Sequence, residues 1–136
     1  MAGVLFACVA NSARSQLAEA IARHLAHGAH DFWSAGSQPS HVKPEVRAVL
    51  DEVGIHARGL RAKGFAALPW EEIHLVVSLC AEEVCPVLPG AQRRQAWPLP
   101  DPAAAPDDER LEAYRAARDE LLRRIPQLLA ALDGVA

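Results

Sequence analysis

The chain has 136 residues, about half of them apolar, and a formal net charge of −3. That length fits one domain with a full hydrophobic core, and that composition excludes a disordered chain. The slight acidity gives no footing for nucleic acid or for an anionic membrane as partner. No apolar stretch reaches membrane-spanning length and the N-terminus lacks the basic start of a secretion signal, so the chain reads as cytoplasmic. Its three cysteines cannot all pair within one chain, and in a reducing compartment they are better read as chemistry than as a structural staple.

Residues 3–7 (Gly-Val-Leu-Phe-Ala) form a short buried strand. Residues 15–27 form a helix in which Leu17, Ile21 and Leu25 recur every fourth residue, with Gly28 suited to the C-terminal stop. Residues 32–36 (Phe-Trp-Ser-Ala-Gly) form a second strand ending in a turn. Pro44 opens a helix that carries Val46, Val49, Leu50 and Val53 and closes at Gly54. Residues 55–72 hold loop and a short helix. Residues 73–79 (Ile-His-Leu-Val-Val-Ser-Leu) are nearly continuous in apolar side chains, as a central parallel strand should be. Residues 80–90 form a loop, 92–97 a last strand and 98–106 a proline-rich loop. From Asp107 a long helix runs nearly to the end, with Pro126 expected to kink or divide it. With no repeat, linker or second domain in evidence, residues 1–136 read as one α/β domain. The alternation β-α-β-α-β-β-α predicts a doubly wound parallel sheet with right-handed crossovers.

The most informative segment is Cys8-Val9-Ala10-Asn11-Ser12-Ala13-Arg14-Ser15. It follows the first strand and opens the first helix, the place where open α/β sheets bind ligands. The small and polar residues after Cys8 let the chain curl until successive backbone N–H groups point inward. The helix N-terminus adds partial positive charge at the same point, and Arg14 offers a planar fork for two oxygens of a tetrahedral oxyanion. All of these favour the thiolate of Cys8. Asn11 tolerates the positive φ that so tight a loop needs. Ser15 is placed to hydrogen-bond the Cys8 sulfur or to cap the helix, two compatible roles, and Asn11 to brace the loop. A chance cysteine and arginine around an ordinary turn is the competing reading, and the position of the segment argues against it.

Asp101 lies between two prolines in a loop near the sheet's carboxyl edge and suits a turn there; Asp107 and Asp108 look like helix caps. Cys80 and Cys85 flank Ala-Glu-Glu-Val. On an intact helix their sulfurs would point apart, whereas a loop could bring them within bonding range. Zinc needs four ligands in closely spaced pairs. There is no second cysteine pair, and His24, His27 and His30 read as surface residues at a helix end, so no metal is expected.

Taken together, the Cys8…Arg14-Ser15 segment, Ser34-Ala35-Gly36, the helix opened by Pro44, Cys80 and Cys85 followed by Pro86, and Trp97…Asp101-Pro102 resemble the low-molecular-weight protein tyrosine phosphatase superfamily. Within it they resemble the thioredoxin-coupled arsenate reductases. The resemblance implies four parallel strands flanked by helices. It implies an oxyanion, arsenate or phosphate, held by residues 9–15: Val9, Ala10, Asn11, Ser12, Ala13, Arg14 and Ser15. It implies Cys8 as nucleophile, Arg14 as oxyanion ligand and Asp101 as general acid. It implies Cys80 and Cys85 as a redox relay, with thioredoxin as reductant, no cofactor, and a chain expected to act as a monomer. The chain departs from the family pattern at two loop positions. Ala10 stands where glycine is usual, at a cost of about 1 kcal/mol if that position has positive φ. Ala13 stands where many members have a second cysteine, which leaves Cys80 as the partner for Cys8. Some of the reductases hold potassium beside the loop; Asn11, Glu19 and Ser34 match part of such a site, and Lys63 falls near the place of the family's acidic ligand, where its ammonium is expected to replace the ion. A phosphatase is the alternative function and a non-catalytic oxyanion sensor the third. The alanines at 103–105 give no aromatic wall for a phosphotyrosine ring.

Overall fold

The computed structural model describes residues 2–66, 68–80 and 93–134. The first strand, β1 (Gly3–Cys8), is buried at every residue. It leads through the loop into α1 (Arg14–Ala26). Then come β2 (Asp31–Gly36) and α2 (Pro44–Asp51), with Pro44 in the first helical turn. A 3₁₀ turn at Trp70–Glu72 precedes β3 (Leu75–Ser78), and β4 (Arg93–Ala96) follows. A second 3₁₀ turn at Pro102–Ala104 precedes α3 (Arg110–Gly134).

The four strands lie in the order β2-β1-β3-β4, and every neighbouring pair is parallel. Placing β1 and β3 inside the sheet explains their unbroken apolar runs, since an interior parallel strand is covered on both faces. Alternate residues serve the two faces. Val4, Phe6 and Cys8 join Leu17 and Ile21 of α1, Val46 and Leu50 of α2, and Tyr114, Leu121 and Ile125 of α3 in the main core. Leu5, Ala7, Ala35 and Val76 face the other way, under Trp33, Phe65 and Trp70. All three α-helices therefore bury into one face, and the Trp70–Glu72 turn helps to cover the other.

Several boundaries depart from the sequence reading. Helix α2 ends at Asp51 and leaves Val53, expected within it, exposed in the turn before Gly54. The β3 ladder stops short of Ile73 and Leu79, although both stay buried. All four residues of β4 are exposed on the sheet edge, so its polarity reflects its position. The last helix begins at Arg110, not Asp107; residues 107–109 form a turn in which Asp107 pairs with Arg110. Pro126 does not divide that helix, which continues through it. A proline inside a helix removes one backbone hydrogen bond, and here Ile125 and Leu128 on either side are anchored in the core. At the end of α1, His27 itself takes the left-handed conformation ahead of Gly28. Residues 81–92, with the expected loop and Cys85, lie outside the described residues.

Candidate functional site

The loop between β1 and α1 turns on Asn11, whose φ is 48°. Five successive carbonyls of this loop are taken by donors around it. The Val9 oxygen accepts from Gln38 N (2.9 Å), Ala10 from Ser40 N (3.0 Å), Ser12 from Lys43 N (3.0 Å) and Ala13 from Leu17 N (2.9 Å). The Asn11 oxygen accepts from the Gln16 side chain at 3.0 Å. A peptide's N–H points opposite to its C=O, so tying the carbonyls outward turns the N–H groups into the concave side. The N–H groups of residues 10–13 find no acceptor among the described residues. Helix α1 adds the partial positive charge of its N-terminus, where the N-cap position is Ala13 and no side chain caps the helix. Ala10 keeps negative φ, so alanine replaces glycine there without strain. Gly36 is required by contact instead, because a Cβ at that position would lie 2.3 Å from the Val9 oxygen and 2.8 Å from the Asn11 nitrogen.

At the base of the loop the thiol of Cys8 is buried, and its Sγ lies 2.9 Å from Ser15 Oγ. The neighbouring bonds fix the direction of this one. Asn11 Oδ1 accepts from the Lys63 N–H at 2.9 Å and from Gln16 Nε2 at 3.0 Å. Asn11 must therefore present its amide nitrogen to Ser15 Oγ, 2.7 Å away. With its oxygen already accepting from Asn11, Ser15 is left to donate its proton to the Cys8 sulfur. Ser15 thus serves the cysteine and does not cap α1.

Arg14 is buried, and its Nη1 donates to the carbonyls of Leu79 (3.2 Å) and Leu99 (3.1 Å). These anchors draw two further segments to the loop. Leu79 donates its N–H to the oxygen of Ala7 at 2.9 Å, so Cys80 leaves the sheet one residue beyond the level of Cys8, on the strand beside it. Neighbouring strands lie about 4.8 Å apart. Cys80 is buried in the core cluster that also holds Cys8. Leu99 leads to Asp101, whose Oδ2 lies 4.0 Å from Arg14 Nη2. The other carboxylate oxygen accepts from Ala103 N at 3.0 Å and caps the Pro102–Ala104 turn. The turn-forming reading of Asp101 thus holds together with its place beside the arginine.

Residues 3–135 match the family described as low molecular weight phosphotyrosine protein phosphatase. The chain belongs to that family. Among its relatives is an arsenate reductase of Halalkalibacterium halodurans, 33% identical over 90% of this chain and 91% of its own. Another is the glutaredoxin arsenate reductase of Synechocystis, 31% identical over 98% of this chain and 100% of its own. A solved arsenate reductase in a phosphate-binding state superposes with a TM-score of 0.83 at 33% identity, covering 96% of this chain and 98% of its own. A thioredoxin-dependent arsenate reductase of Corynebacterium glutamicum gives 0.66 at 29% identity, covering 93% of this chain and 63% of its own.

Beside the phosphatase-family loop sits a second polar cluster. Glu19 and Ser34 are both buried, and the Ser34 hydroxyl donates to Glu19 Oε1 at 2.7 Å. The Lys63 ammonium lies 3.4 Å from each of these two oxygens, and Arg23 pairs with the other Glu19 oxygen at 2.9 Å. The charge of Glu19 is therefore met by two side chains of this chain. Gln16 is the participant that sequence reading missed. It is wholly buried and also donates to the Arg61 carbonyl at 2.8 Å, which ties residues 61–63 to the loop. Its signal was available: Arg14, Ser15, Gln16 and Glu19 crowd polar side chains into the first turns of a helix whose every residue from 14 to 22 is buried.

Of the three histidines near the end of α1, His24 and His27 are exposed. His30 is tucked in, accepting from Ala2 N at 3.0 Å and contacting Asp133 at 2.7 Å. Among the described residues no group of three or more His, Cys, Asp or Glu is placed to hold a metal ion, and no helix is long and apolar enough to cross a membrane.

Proposed function

We propose that this chain is an arsenate reductase that works by a cysteine relay. The observation that carries the reading is the exit of Cys80 from β3 next to Cys8 on β1, at the mouth of an oxyanion-shaped loop. The names of its relatives support it.

In this reading arsenate docks on the N–H groups of residues 9–15 and on Arg14. The Cys8 thiolate attacks arsenic, and one oxygen leaves with a proton from Asp101. The Cys80 thiolate then attacks the Cys8 sulfur. The S–As pair passes to arsenic, As(V) becomes As(III), arsenite departs, and a Cys8–Cys80 disulfide remains. Cys85 attacks Cys80, which frees Cys8 as the thiolate and leaves a Cys80–Cys85 disulfide for thioredoxin to reduce. Two thiols supply the two electrons that arsenic accepts. No cofactor enters, and a single chain suffices. In this reading the Lys63 ammonium, 3.4 Å from the Glu19 and Ser34 oxygens, stands in for a potassium ion beside the loop.

A phosphatase is the second reading, favoured by the family itself and by the pairing of Arg14 with Asp101. It shares the first step and resolves phosphocysteine with water. The groove beside Asp101, about 980 Å³, runs past Leu99, Pro102, Ala104, Ala113 and Ala117 with no aromatic wall for a phosphotyrosine ring. Weak hydrolysis of aryl phosphates is therefore expected as a side activity. Cys80→Ser separates the two: it should abolish thioredoxin-linked arsenite release and leave aryl phosphate hydrolysis within about twofold of wild type. Equal loss of both activities would refute the relay.

A further inference from the structure

Among the described residues Tyr114 is the largest of the fully buried side chains, and its hydroxyl finds no hydrogen-bond partner there. A buried hydroxyl without a partner is costly beside a well-packed apolar replacement, and each such group calls for an explanation. Its surroundings supply one. Helix α3 packs against the Pro102–Ala104 turn, and Arg110, one helical turn before Tyr114 on the same face, donates to the Ala105 carbonyl at the far end of that turn (3.3 Å). Asp101 caps the near end. The charged groups whose fields reach the hydroxyl are Glu45 from α2, Asp101 from the turn and Arg110 from its own helix. Arg14 of α1 stands behind Asp101.

We propose that Tyr114 is a positioning residue for Asp101. When the turn settles on bound oxyanion, the Tyr114 hydroxyl donates to Asp101 Oδ1, beside the Ala103 N–H. The carboxyl plane is then fixed, and Oδ2, the oxygen nearer Arg14, hands its proton to the departing oxygen. Tyr114 keeps its own proton throughout. Burial first, and the carboxylates of Glu45 and Asp101 second, push its hydroxyl well above the usual tyrosine range, so it acts as a donor at any working pH. The inference rests on the reading of Asp101 as the acid.

Tyr114→Phe tests it, because it removes one oxygen and little else. Arsenate reduction and aryl phosphate hydrolysis are followed over pH in wild type, Y114F and D101N. The expected result for Y114F is a kcat lower by about tenfold, the worth of one hydrogen bond to a charged group, with KM within about twofold. The limb of the pH profile that D101N abolishes should move to higher pH, since a donor to the carboxylate has been lost. The melting temperature should hold or rise. Unchanged kcat and pH limb in Y114F, beside a slow D101N, would overturn the positioning role and leave the acid role standing. D101N as fast as wild type, or no turnover of either substrate in the wild-type chain, would remove the acid role and this inference with it. A markedly lower melting temperature in Y114F would show the hydroxyl to be partnered at rest, which also overturns it.

Discussion

Ser15 shows how one side chain sets the chemistry of its neighbour. Asn11 occupies its oxygen, so its proton has only the Cys8 sulfur to serve. A hydrogen bond to a charged group is worth about 1.5–3 kcal/mol, and Ser15→Ala is expected to lower kcat roughly ten- to a hundredfold at neutral pH. The deficit should appear in arsenate reduction and aryl phosphate hydrolysis alike, since both begin with attack by Cys8; a loss confined to one of them would mean Ser15 acts otherwise. Lys63 makes a second residue-scale claim. Its ammonium lies 3.4 Å from the Glu19 and Ser34 oxygens, so exchanging sodium for potassium at constant ionic strength should leave turnover unchanged, and stimulation by potassium would contradict that placement. At this scale much was legible in the sequence. Asn11 was readable as the positive-φ residue because few side chains tolerate that conformation, and Ser15 because its spacing from Cys8 spans one loop. Gln16 was legible only in part: the polar crowding at the start of α1 marks it, but its bond to the Arg61 carbonyl exists only once the chain has folded.

At the scale of elements, α2 and α3 are clamped by Glu52. Its carboxylate accepts from Arg115 (2.7 and 3.0 Å) and from Arg118 (2.6 Å), while Arg118 also donates to the Val49 carbonyl at 2.9 Å. Hydrogen bonds from Arg115 first and Arg118 second hold the Glu52 carboxyl at about 2, below its ordinary 4.5. A carboxyl depressed in the folded state stabilises the fold above its unfolded value, and that contribution is lost as pH falls through the folded one. Thermal melts of wild type should therefore lose stability from about pH 4.5 down to about pH 2, and Glu52→Gln should remove that part of the slope. Parallel slopes in the two proteins would contradict the clamp; the solvent around Glu52 keeps the effect modest. This clamp was invisible in sequence, because the partners lie 63 and 66 residues apart. The helices themselves were readable from apolar spacing and the proline at the start of α2. Their ends were less so: residues 107–109 look like a capped helix start but are held in a turn by the Arg110–Asp107 pair.

For the whole molecule, the parallel order β2-β1-β3-β4 carries the function. It sets the ends of β1 and β3 side by side, one bearing the loop cysteine and the other leading to Cys80, while the run from β4 through Leu99 returns Asp101 to the same rim. The alternation of strand and helix in the sequence was enough to expect this sheet. It could not tell that all three helices bury into one face, because the face a crossover takes depends on strand order and not on local pattern.

The relay is the central claim, and arsenate-dependent NADPH oxidation in the presence of thioredoxin and thioredoxin reductase tests it most directly. The account predicts steady turnover that requires arsenate, thioredoxin and Cys80 together. Absence of turnover beside robust hydrolysis of an aryl phosphate would contradict it and make the chain a small phosphatase.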